Sequence, residues 1–177
     1  MGFFVHDMVR MVDFYQRLMG FTVTDRGDLA TPTGPVALVF LSRDPTEHHQ
    51  IVLVSGRPEK LPFNVVNQVS FRVRSLAGLR VLHAAITAEP GLDEIRTVTH
   101  GNAISIYFLD PEGNRIELFV DTPWYCKQPM REQVDFAHSD DDILADAHRI
   151  ASAAPGFMPR EQWIEKMRQN MAAGINA

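Results

Sequence analysis

Apolar and polar residues alternate in short runs along the first two thirds of the chain, interrupted twice by helical spacing. Val69, Phe71 and Val73 share one parity and Gln68, Ser70 and Arg72 the other, which is the period of a half-buried strand. The same pattern predicts strands near Gly2–Val5, Phe21–Arg26, Val36–Ser42 and Gln50–Val54. A second set is predicted near Asn67–Val73, Glu94–Val98, Ala103–Leu109 and Arg115–Val120. A helix near Met8–Met19 follows Asp7, a good N-cap, and stops at Gly20; Val9, Val12 and Leu18 are among its apolar positions. Ser75 caps a second helix near Leu76–Ala88. Gly27, Pro32, Gly34 and Pro35 punctuate the first set, and Asp110-Pro111-Glu112-Gly113-Asn114 is a strong turn before the last strand.

The two sets are a repeat. An offset of 68 residues separates Val5 from Val73 and Phe40 from Phe108. Ile51-Val52-Leu53 then reads like Ile116-Glu117-Leu118. Each set is a βαβββ module, the first over residues 1–55 and the second over 64–121, with a proline-bearing linker at Ser55–Phe63. A repeat of this length points to paired modules forming one concave mixed sheet, an α+β architecture occupying residues 1–121. A site is expected where the modules differ, at Val52 against Glu117. Residues 122–177 have no counterpart in the repeat and form an extension. Thr122–Phe136 reads as irregular. A helix should begin at Ser139-Asp140-Asp141-Asp142 and run to about Ala153, and a last one should span Arg160–Ala172 after Pro159. The stripe of Trp163, Ile164 and Met167 is assigned to packing, on this domain or on a second subunit.

Composition narrows the classes. The chain has 177 residues, 45% of them apolar, enough for one domain with a full core and an appendage. The net charge of −5 is spread along the chain, which argues against a nucleic-acid surface and a polybasic membrane anchor. Cys126 stands alone, so there is no disulfide framework, and a reducing cytoplasm is the expected compartment. No apolar run has the length of a membrane span, and no signal peptide is expected. A glycine-rich phosphate loop, a paired CxxC and a serine elbow are all missing from the sequence.

Glu117 is the first candidate for chemistry. It sits in an apolar strand, on the face opposite Ile116 and Leu118. An unpaired buried charge is costly, so a carboxylate there needs a partner: a divalent metal supplies one, an arginine another, and exposure to solvent removes the need. Val52 at the matching position of the first module favours the functional reading. Gln68 projects from the polar face of its strand, and on spacing alone it reads as an exposed strand residue. His48-His49 precedes the last strand of the first module, as metal ligands, proton carriers or surface residues. His100 begins a loop before the strand carrying Tyr107, whose ring is either core or an acid near a substrate oxygen. His6, His83, His138 and His148 read as surface or structural, and Cys126 is not a candidate nucleophile.

The paired modules and the closing run Asp110-Pro111-Glu112-Gly113-Asn114-Arg115-Ile116-Glu117-Leu118-Phe119 resemble the vicinal oxygen chelate superfamily. It includes glyoxalase I, bleomycin-resistance proteins, methylmalonyl-CoA epimerase and type I extradiol dioxygenases. Within it the chain looks most like single-domain extradiol dioxygenases of the catechol 2,3-dioxygenase kind. That resemblance implies Fe(II), or Mn(II) in some members, held by two histidines and a glutamate. It implies a small aromatic substrate opened by dioxygen, and a homodimer. Glu117 matches the metal glutamate, Tyr107 the active-site tyrosine, and His49 the proton-transfer histidine beside dioxygen. His100 matches another active-site histidine loosely. Two positions depart from the pattern: Gln68 stands where the second metal histidine is expected, and the first would fall just before Met1. A glutamine oxygen can ligate a metal as a weaker, neutral donor. Val52 stands where the four-ligand glyoxalase I site wants a carboxylate. The alternatives are a metal-free or weakly metal-binding ligand-binding module of the bleomycin-resistance type, with no cofactor, and a lyase or isomerase of the glyoxalase or epimerase kind.

Overall fold

The structure is a computed structural model. It describes every residue except Thr33, Lys60, Leu61, Pro62, Val65, Asp93, Asn176 and Ala177, so part of the expected linker lies outside the described residues. The first module comprises β1 (Gly2–Val5), α1 (Met8–Arg17), β2 (Thr22–Thr31), β3 (Gly34–Ser42) and β4 (Ile51–Ser55). The second comprises β5 (Val69–Arg72), α2 (Leu76–Ala88), β6 (Arg96–Thr99), β7 (Ala103–Leu109) and β8 (Arg115–Asp121). Then come β9 (Trp124–Tyr125), β10 (Glu132–Gln133), α3 (Asp140–Ser152), β11 (Met158–Pro159) and α4 (Arg160–Ile175).

The mixed sheets repeat one topology. The first runs β1-β4-β3-β2 and the second β10-β6-β7-β8-β5, so the order of the first module recurs with β10 added at an edge. In each, the opening strand lies parallel to the closing one: Gly2 faces Val52 in the first and Val69 faces Ile116 in the second. β2 runs on to Thr31, past the Arg26 expected, paired to β3 as far as Gly34. Its residues Asp25–Ala30 are all exposed, so no apolar alternation marked them; pairing with the apolar β3 extends the strand.

By compactness the chain divides into two units. The first is Met1–Gln68 with Ala85–Asp93 and Leu109–Arg115; the second is Val69–Ala84, Glu94–Phe108 and Ile116–Ala177. In the first unit α1 buries Met11, Val12, Phe14 and Tyr15, the spacing of one helical face. Asp7 caps it by accepting from the Arg10 amide at 3.0 Å, and Glu112 Oε1 accepts the His6 and Asp7 amides, each at 2.8 Å. The Asp110 turn is held from within. Asp110 accepts from the amide and the side-chain nitrogen of Asn114, both at 2.8 Å, and from the Glu112 amide at 3.0 Å. Gly113 takes the positive φ of 79° that the turn requires. The Tyr15 hydroxyl also donates to Asp110, at 3.3 Å. Burial holds the Asp110 carboxyl above its ordinary range, because desolvation of the charge outweighs these bonds.

The second unit has its core on one face of β7 and β8. Ile104, Ile106, Phe108, Ile116 and Leu118 are buried there, each contributing about 1.5–3 kcal/mol by leaving water. Ile143, Ala147 and Ala151 are the buried stripe of α3, whose cap Ser139 accepts the Asp142 amide at 3.2 Å. The stretch that reads as irregular holds β9 and β10, two residues each and too short to show a period. β9 pairs with β11, which brings the start of α4 back toward β8. Among the described residues no helix is long and apolar enough to cross a membrane.

Candidate functional site

β5, β8 and β7 are neighbours in the second sheet, and each sends a short polar side chain to the face opposite the core. Ser70 and Glu117 are register partners across the parallel β5·β8 pair. Ser105 and Tyr107, two residues apart on β7, share a face by strand alternation. Glu117, only 8% exposed, therefore meets three hydroxyls. Its Oε1 accepts from Tyr107 at 2.5 Å and from Ser105 at 2.9 Å, and its Oε2 accepts from Ser70 at 2.6 Å. Hydrogen bonds to an ionised acceptor are about twice as strong as neutral ones, so this ring of hydroxyls offsets much of the cost of burying the carboxylate.

His100 extends the chain of bonds. Its Nδ1 lies 2.7 Å from the Met130 carbonyl oxygen, which can only accept, so Nδ1 carries a proton. Its Nε2 is left to face the Tyr107 oxygen at 3.0 Å and lies 4.0 Å from Glu117 Oε1. Tyr107 has one proton to give, and of these contacts the one to Glu117 is shorter than the one to His100. A proton can thus pass among Glu117, Tyr107 Oη and His100 Nε2 with small movements. The extension fixes the loop that carries His100. Gln128 donates to the His100 carbonyl at 2.6 Å and Thr122 donates to the Gly101 carbonyl at 2.7 Å.

Above Glu117 lies a cavity of about 350 Å³, floored by Ser70, Glu117 and His100 and bounded by Tyr125, Arg160 and Trp163. A larger opening of about 710 Å³ lies between His83 and α3 in the same unit, but neither Glu117 nor the residues hydrogen-bonded to it line it. The fold brings Glu117, Tyr107 and His100 together in the second unit. His49 and Gln68 fall in the first. His49 is exposed, its Nδ1 2.9 Å from that of His48 and its ring against Phe40. Gln68 is half-buried just ahead of β5. Reading the sequence alone misses Ser70, Ser105, Tyr125 and Arg160, and treats Trp163 as packing only. The two serines carried a signal, since they share parity with Gln68 and Tyr107; the other three carried none.

The implied metal centre can be tested against this donor set. A two-histidine, one-carboxylate centre needs two imidazoles beside the carboxylate. Glu117 has one, His100, and its oxygens are engaged by hydroxyls. Among the described residues no group of three His, Cys, Asp or Glu could hold a metal ion. The residues present do not fit such a centre.

The chain belongs to the Glyoxalase/Bleomycin resistance protein/Dioxygenase superfamily, whose model matches residues 1–118. It is 30% identical over 131 residues to biphenyl-2,3-diol 1,2-dioxygenase 3 of Rhodococcus globerulus, a match covering 70% of this chain and 61% of that protein. The fold resembles that of the fosfomycin resistance protein FosX of Mesorhizobium loti, with a TM-score of 0.51 and 21% identity over 69% of this chain and 89% of that one. A variant of FosX from Listeria monocytogenes, complexed with Mn(II) and a dihydroxypropylphosphonic acid, matches with a TM-score of 0.50 and 19% identity over 69% of this chain and 90% of that one. These two likenesses concern the fold alone.

Proposed function

We propose that this chain is an extradiol dioxygenase-like protein that takes a catechol-type aromatic into the cavity above Glu117. The observation that carries the reading is the ring of hydroxyls around a buried carboxylate on the cavity floor. A catechol O–H can take the place of the Ser70 hydroxyl on Glu117 Oε2, because Ser70 lines the cavity and its displaced hydroxyl can turn to water, so that exchange costs little while the ring leaves water. The kinship with a biphenyl diol dioxygenase supports the ligand class. In this reading Tyr107 Oη holds a substrate oxygen, and His100 Nε2 takes or returns a proton through it. His49 is the second proton-handling side chain proposed.

Ring opening by dioxygen calls for a metal such as Fe(II) or Mn(II), toward which Glu117 and Gln68 would be this chain's donors. The described residues do not complete that set, and no step of the reading passes through a metal. The engagement of both Glu117 oxygens by hydroxyls favours a second reading, a binding module of the bleomycin-resistance type. One experiment separates the two. The full chain is purified anaerobically with and without Fe(II), titrated with catechol by calorimetry, and then given oxygen. Saturable binding is expected, weakened at least about tenfold in Glu117→Ala. Oxygen uptake with ring opening in the iron-supplied sample would make the chain a dioxygenase. Binding without uptake would support the module, and no saturable binding in either sample overturns the proposal.

A further inference from the structure

Four residues of the Glu117 cavity's rim, Asp121, Tyr125, Arg160 and Trp163, lie beyond the family match, and the guanidinium among them is opposite in charge to the carboxylate of the floor. Arg160, the first residue of α4, pairs with Asp121 Oδ1 at 3.0 Å and donates to the Asn102 carbonyl at 3.5 Å. Arg72 reaches the other oxygen of Asp121 at 3.3 Å. Arg72 does not line the cavity, but it shares the Asp121 carboxylate with Arg160, so the three groups together carry one surplus positive charge. A guanidinium carries more N–H donors than these contacts use. The Arg160 side chain is 26% exposed, so its charge is screened less than that of a freely solvated arginine. Beside it Tyr125 and Trp163 stack with ring centroids 5.2 Å apart and planes 15° apart, making an aromatic wall.

The distance from floor to rim is set by β8. Glu117, Phe119 and Asp121 alternate onto the cavity side, and four residues of strand at about 3.3 Å each put the two ends about 13 Å apart. We infer that the cavity selects catechols carrying an acidic substituent at the end of the ring away from the diol. The carboxylate meets Arg160 and the ring lies along the Tyr125–Trp163 wall. This rests on the proposed function, in which Glu117 takes the diol. The scale is comparable: such a ring spans about 7 Å between its end oxygens, a hydrogen bond of about 2.8 Å adds to each end, and Arg160 stands 3.0 Å from the Asp121 carboxylate at the far end of this strand segment. A carboxylate beside the diol would instead lie against Glu117, like charge on like.

The test is calorimetric titration of the full chain with three probes: catechol, protocatechuate, and the isomer with its carboxylate adjacent to the diol. Protocatechuate should bind about tenfold tighter than catechol at low salt, and the adjacent isomer more weakly than catechol. The preference should shrink as salt rises. In Arg160→Gln the protocatechuate-to-catechol ratio should fall to about one, and Arg160→Lys should keep part of it. If Arg160→Gln fails to fold, the wild-type ratio and its salt dependence still decide. Catechol binding with no preference for protocatechuate overturns this inference and leaves the proposed function standing. Failure of all three probes to bind overturns both.

Discussion

Replacing Gly101 with alanine should disturb the His100 loop at a cost that the structure allows to be added up. Gly101 has φ of 75°, the left-handed region, where a residue with a Cβ costs about 1–2 kcal/mol. The new Cβ would fall well inside contact distance of Cys126 Sγ, 2.9 Å from Met130 Sδ and 3.5 Å from Ala151 Cβ. Cys126 and Ala151 are both 0% exposed, so they have no solvent to swing into. Overpacking of this kind costs about 1–3 kcal/mol. Together the two effects should lower stability by about 2–5 kcal/mol, read as a shift of the urea midpoint at constant slope. The double variant with Cys126→Ala removes the nearest clash, so its loss should be smaller than the sum of the singles by about 1 kcal/mol or more. Because His100 is held by the Met130 carbonyl, catechol affinity should fall in the single variant and partly return in the double. A Gly101→Ala protein within about 0.5 kcal/mol of the parent, or strictly additive singles, would refute the reasoning.

Three further outcomes follow from other bonds. Tyr107→Phe removes the hydroxyl between Glu117 and His100 and should weaken catechol binding about tenfold by calorimetry, with the far-ultraviolet spectrum unchanged. Asn114→Ala takes one side-chain hydrogen bond each from Asp110, Arg57 and Asn64, while the backbone amide bond to Asp110 remains, and should cost about 2–3 kcal/mol in urea unfolding. The Asp110 carboxyl is raised above its ordinary 3.8 by burial, so the native state holds that proton more tightly than the unfolded chain. Its stabilising contribution is therefore complete at pH below 3.8 and is lost as pH rises through the raised value. The stability margin of wild type over Asp110→Asn should shrink across that rise; a margin that grows would show the shift has the other sign.

The sequence by itself determined the repeat, the strand faces and the turn. Strand and helix periods are properties of the local backbone, two and about 3.6 residues, so Val69–Val73 or the Asp110–Asn114 turn declares itself without its neighbours. Alternation also put Glu117 on the face opposite the core, where the structure has it. The partners of Glu117 were decided only in three dimensions. Ser70, Ser105 and Tyr107 meet it because β5 and β7 flank β8 in register, and a serine in a strand announces no register of its own. The rim lay further from view: Arg160 and Trp163 stand some forty residues from Asp121 and Tyr125, and the pairing of β9 with β11 joins them. Contacts of that range depend on the closure of a long loop and on what the rest of the chain packs, which no local pattern encodes.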